Sequence, residues 1–100
     1  MFEYVARVYE VIDSDTIYVA IDMGFSIQHI VKLKLQGISS SEITAFNSEH
    51  NTNRLIELIE GKIIRVVTDN QEDNCGRYLA DIYLDEVNIN RLLLEENLSQ

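Results

Sequence analysis

Between residues 31 and 36 apolar and polar side chains alternate without a break, Val31, Leu33 and Leu35 on one side and Lys32, Lys34 and Gln36 on the other. A two-residue period marks a strand with one buried and one wet face, because successive Cβ atoms point to opposite faces of a sheet. The same pattern covers residues 2–8, where Phe2, Tyr4, Ala6 and Val8 oppose Glu3 and Arg7, and residues 16–21, where Ile17, Val19 and Ile21 face one way. Residues 63–68 and 78–84, rich in β-branched and aromatic side chains, read as two further strands. Lys34 is accordingly expected to point away from the core.

The segments between these strands complete the plan. Asp13 to Asp15 and Met23-Gly24-Phe25-Ser26 read as reversals, and residues 69–76 as a polar loop. Residues 39–50 are polar and irregular and are expected to carry Glu42 on a loop. Asn51 then caps a helix with Leu55, Leu58 and Ile59 on one side, and Gly61 ends it. Asn88 caps a closing helix with Ile89, Leu92 and Leu93 inward. Three strands, a helix, two strands and a helix predict a mainly β, α+β chain: a five-stranded oligonucleotide/oligosaccharide-binding (OB-fold) barrel, with one helix after the third strand and one at the C-terminus.

One hundred residues make a single domain, 1–100, able to remove roughly two-thirds of its surface from water without a disulfide or structural metal. Cys75 is the only cysteine, so there is no internal disulfide and no Cys/His spacing of a zinc site. No stretch approaches the roughly 20 apolar residues of a membrane helix, and Met1-Phe2-Glu3-Tyr4 lacks the basic-then-apolar start of a secretory signal. The expectation is a cytoplasmic chain with no membrane partner. Seventeen acidic against eight basic residues give a net charge of -9. That disfavours nucleic acid as a ligand, since phosphate affinity comes from cations. Charge is felt over only roughly 8 Å at physiological salt, so a local basic pocket for single-stranded nucleic acid or a nucleotide stays open. A protein partner and a homo-oligomer stay open too.

Three segments are more specific: Ile12-Asp13-Ser14-Asp15-Thr16, Leu33-Lys34-Leu35-Gln36-Gly37-Ile38-Ser39-Ser40-Ser41-Glu42, and Cys75-Gly76-Arg77-Tyr78-Leu79-Ala80-Asp81-Ile82-Tyr83. In order, spacing and flanking strand patterns they resemble the staphylococcal nuclease (thermonuclease-like) family, whose segments read roughly I-D-G-D-T, R-L-x-G-I-D-x-P-E and Y-G-R-x-L-A-x-I-Y. The resemblance covers nearly the whole chain and implies a barrel of that type. It implies that Asp15 is a calcium ligand, that Ser39 stands where the second carboxylate ligand is expected, and that Ser40 offers its backbone carbonyl to the metal. Glu42 takes the position of the residue proposed to orient or deprotonate the attacking water. Lys34 and Arg77 hold the positions of the two arginines that grip the scissile phosphate, and Cys75 replaces a tyrosine that helps to hold a nucleotide.

Each departure from the family pattern has a chemical meaning. Calcium takes about six to eight oxygen ligands and loses affinity with ligand charge, so Ser39 leaves a site with one carboxylate. No cofactor is expected beyond weak Ca2+. Lys34 offers a point charge where Arg offers a planar fork for two phosphate oxygens. Losing single stabilising groups commonly costs about 100- to 1,000-fold in rate, so two losses together predict slow hydrolysis at best. The leading expectation is a catalytically degenerate nuclease-like barrel acting as a binding or interaction module. The alternative is an active metal-dependent nuclease for single-stranded DNA or RNA, and the third is an acidic nucleic-acid mimic that occupies a basic partner.

Plainer roles stand beside these. Asp13 and Asp15 are favoured in turns for bonding local backbone groups. Lys34 reads as a solvated charge, and Arg77 as an ion-pair partner of Asp73 or Glu72. His29 and His50 read as structural or surface residues, Ser39-Ser40-Ser41 lacks the His and Asp of an acyl-transfer site, and Cys75 reads as an incidental thiol. The pairs Glu72-Asp73 and Asp85-Glu86 read as solvated loops.

Overall fold

The computed structural model describes residues 1–37 and 45–98, with the side chains of 1–37 and 49–96. The alternating segments become β1 (Phe2–Val11), β2 (Thr16–Asp22), β3 (Gln28–Leu35), β4 (Ile63–Glu72) and β5 (Tyr78–Leu84). Helix α1 (Ala45–Ile59) precedes β4, and a short β6 (Val87–Asn88) leads into α2 (Ile89–Leu98). Neighbours pair in the order β3-β2-β1-β4-β5-β6. Every pairing in that order is antiparallel, and a parallel β3–β5 pairing with Leu33 opposite Tyr78 closes β1 to β5 into a barrel. This is a closed five-stranded barrel, OB-like in outline, with one extra strand and two helices.

The inward rows are those the alternation predicts. Ile17, Leu33, Leu35, Val66 and Ile82 are fully buried, and Leu55 and Ile59 of α1 join Ile89 and Leu93 of α2 in the same core. Arg54 Nε of α1 donates to the Glu96 carboxylate of α2 at 3.2 and 3.3 Å. Asn88 caps α2 as expected, its Oδ1 accepting the Arg91 N–H at 3.0 Å. Gly61 follows α1 with φ 77°, the left-handed conformation a helix stop needs.

Two boundaries differ from the sequence expectation. Helix α1 begins at Ala45, so residues 45–50 are helical and Asn51 is a buried interior residue rather than a cap. Burial of the Leu55 and Ile59 stripe carries the helix back through residues with poor helical propensity. Strand β4 runs to Glu72 because its ladder with β5 continues past an irregularity between Thr68 and Glu72. Among the described residues, no helix is long and apolar enough to cross a membrane.

Candidate functional site

The site is built from two loops and the end of β3. In the β1–β2 turn, Asp13 Oδ1 accepts the Asp15 N–H at 3.0 Å, and the Ile12 and Asp13 N–H groups reach the Thr16 carbonyl at 2.9 and 3.3 Å. The Asp15 carbonyl accepts the Leu35 N–H at 2.7 Å, which ties the turn to β3. These backbone bonds hold the Asp15 side chain inward, where it is 6% exposed and accepts the Thr16 hydroxyl at 3.0 Å.

Asp73 organises the β4–β5 loop in the same way. Its Oδ1 accepts the Cys75 and Arg77 N–H groups, both at 2.9 Å, and its own N–H reaches the Arg77 carbonyl at 2.7 Å. Its Oδ2 receives Arg77 Nε and Nη2, both at 2.8 Å. The remaining end of the guanidinium crosses to the other loop: Arg77 Nη1 donates to Thr16 Oγ1 at 2.8 Å and lies 3.8 Å from Asp15 Oδ1. Arg77 therefore clamps the β4–β5 loop to the β1–β2 turn, and of the two carboxylates the sequence offered it, Asp73 holds its fork. Asp73 is not one of a solvated acidic pair, as its sequence neighbourhood implied.

The electrostatics follow from this geometry. Burial pushes the Asp15 carboxyl above the usual carboxylate range, and neighbouring Asp13 adds to it, against the Thr16 hydroxyl and the Arg77 charge. Burial also works upward on Asp13, but the bonds it receives from Asp15 and Thr16 outweigh it and its pKa falls. Asp73 is lowered, chiefly by the Arg77 backbone N–H. Among the described residues no three His, Cys, Asp or Glu side chains converge. Asp15 Oδ1 faces a hydroxyl and a guanidinium, surroundings that suit an ion pair.

Lys34 stands directly opposite Thr16 in the β2–β3 ladder and beside Leu79 of β5. Cross-strand partners share a face about 5 Å apart, so Lys34 lies on the same face as the threonine that Arg77 Nη1 reaches. Ser39, Ser40 and Glu42 lie outside the described residues. Cys75 is an exposed free thiol.

The sequence reading missed two features here. One is Thr16, the acceptor that fixes Arg77; a threonine at the start of a strand carries no chemical mark. The other is the outward face of β1 to β3, where the register aligns Arg7 with Ala20 and Ile30, and Tyr18 with Lys32. Lys32 lies 5.4 Å over the Tyr18 ring, and among the described residues Arg7, Lys32 and Lys34 make no ion pair. The alternation did place these side chains outward, but only the register gathers them. No protein-family model matches this chain, and no curated protein matches it.

Proposed function

We propose that this chain is a staphylococcal-nuclease-like barrel whose catalytic centre has degenerated and whose remaining role is binding. The engagement of Arg77 carries this reading. All three nitrogens of its guanidinium are bonded or paired within the protein, to Asp73, Thr16 and Asp15. A phosphate competing for that fork must break two charge-assisted bonds to Asp73 Oδ2. The serine at position 39 and the lysine at position 34 point the same way, since each weakens metal or phosphate binding on independent chemical grounds. Among the described residues, Lys34, Lys32 and Arg7 make no ion pair and share one outward face with Tyr18, Arg7 donating only to the Gly61 carbonyl at 3.3 Å, and these are the cations offered to an anionic ligand there.

The test is cleavage of single-stranded DNA and RNA by the chain and by Arg77→Ala, with calcium, magnesium, manganese or chelator, beside calorimetry with calcium. The reading predicts calcium binding no tighter than about millimolar and cleavage that is slow or undetectable in every cation. Micromolar calcium binding with Arg77-dependent cleavage overturns it in favour of an active nuclease.

A further inference from the structure

The far end of β2 and the start of β3 meet in a turn of unusual composition. Ile27 donates its N–H to the Gly24 carbonyl at 2.9 Å around Phe25 and Ser26, whose φ angles are 55° and 63°. Two successive left-handed residues suit Asn-Gly, and an L side chain there costs about 1–2 kcal/mol per residue. Phe25 nonetheless occupies the first position, and it is 97% exposed. The fold thus presents a phenyl ring to solvent on a strained, hydrogen-bonded tip.

Beside this knob is a hole. The barrel opens here into a cavity of about 250 Å³ floored by Ile21, Val31, Leu33 and Val66 and rimmed by Met23 and His29. A cavity of about 150 Å³ lined by apolar side chains is enough to hold a benzene ring. Met23, on its rim, donates its N–H to Ile27, so knob and hole belong to one surface.

A knob and a matching hole side by side are what an isologous two-fold contact requires, because each copy offers both halves to the other. We propose that two copies of this chain associate through this end of the barrel, with Phe25 of each ring seated in the mouth of the other. Phe2, Met23 and Ile27 are also more than half exposed around it. At roughly 200 Å² per side chain, the exposed parts of these four residues contribute about 500 Å² per copy, or about 1,000 Å² in a dimer, the lower bound for a specific interface. The net charge of -9 on each copy opposes association, so the dimer tightens as salt screens it. This inference does not depend on whether the Arg77 region binds or cleaves anything.

The experiment is sedimentation equilibrium of the full chain across concentration and salt, with two variants. Phe25→Asn removes the ring while placing a residue that tolerates the left-handed conformation, so the monomer stays folded and gains thermal stability. Val31→Phe fills the mouth from within. The wild type is expected to dimerise reversibly, more tightly at high salt, and each variant to weaken dimerisation by about 30-fold or more, as loss of a hot-spot ring does. Mixing the two variants restores one of the two contacts and hence a weaker heterodimer. The chain has no Trp, so Phe25→Trp supplies a single reporter whose emission shifts to the blue as concentration rises. A wild type that stays monomeric to ~1 mM with unshifted reporter emission overturns the proposal, even if the mouth then takes up free indole as a small-molecule site. A dimer that persists in Phe25→Asn overturns it as well.

Discussion

Replacing Arg77 with alanine separates a structural clamp from a poised catalytic group. The substitution removes the donor at 2.8 Å from the Thr16 hydroxyl and the cation 3.8 Å from the buried Asp15 carboxylate. Hydrogen bonds to charged groups contribute about 1.5–3 kcal/mol, and an orphaned buried group costs about 1–3 kcal/mol. Counting only Thr16 and Asp15, the loss is about 2–4 kcal/mol, or about 10–20 °C in Tm for a domain of this size. The pH dependence gives a second readout. Asp15 has a raised pKa, so its charged form is a liability above that value and is relieved by protonation as pH falls; without Arg77 the liability grows. Asp73 has a lowered pKa, so its stabilising contribution is present above the ordinary Asp value and is lost as pH falls through the depressed one; the backbone N–H groups of residues 75 and 77 remain in the variant, which loses only the part that the guanidinium supplies, and that part too fades as Asp73 is protonated. Both effects shrink the stability gap between wild type and variant on acidification. Denaturant unfolding of both proteins from neutral pH to below the ordinary Asp value measures it. An Arg77→Ala protein as stable as wild type at neutral pH refutes the clamp.

Two further substitutions probe the helices. Asn51 is buried inside α1, and its Nδ2 has no hydrogen-bond partner among the described residues, so Asn51→Leu is expected to raise stability by about 1–2 kcal/mol in thermal unfolding; a lower Tm contradicts this. Asn90 is the opposite case: its Oδ1 accepts the Ile82 N–H at 3.0 Å while its Nδ2 donates to the Gln36 and Ala80 carbonyls and to Asp81. Asn90→Ala takes the side-chain partner from the Ile82 N–H and the Gln36 carbonyl, while the Ala80 carbonyl keeps the Gln36 N–H at 2.9 Å, and is expected to cost about 2–3 kcal/mol, measured by urea unfolding.

The barrel was legible because its strands alternate. Leu33 and Leu35 are buried and Lys32 and Lys34 are not, as a period of two requires. What alternation does not carry is the reach of elements whose partners lie elsewhere in the chain. The polar run before Leu55 reads as loop until burial of that leucine makes it the first half of α1. Thr68 ends the apolar pattern of β4, yet the ladder continues to Glu72 against Tyr78. At the site, local chemistry offered Arg77 two carboxylates, Asp73 and Glu72; the choice depends on the turn that Asp73 makes with the Cys75 and Arg77 amides. The bond from Arg77 to Thr16 spans 61 residues, and no local pattern encodes it.

The most direct test of a degenerate nuclease centre is to rebuild it. Ser39→Asp restores the missing carboxylate and Lys34→Arg restores the second phosphate fork; groups that act as a unit are strongly non-additive, so neither change alone is expected to suffice. The measurement is calcium-dependent cleavage of single-stranded DNA by the double variant, the parent, and the double variant carrying Arg77→Ala. The account predicts cleavage by the double variant clearly above the parent, abolished by chelator and by the Arg77 change. A parent that cleaves as fast as the double variant contradicts degeneracy, and a folded double variant that neither binds calcium nor cleaves contradicts an inherited nuclease pocket.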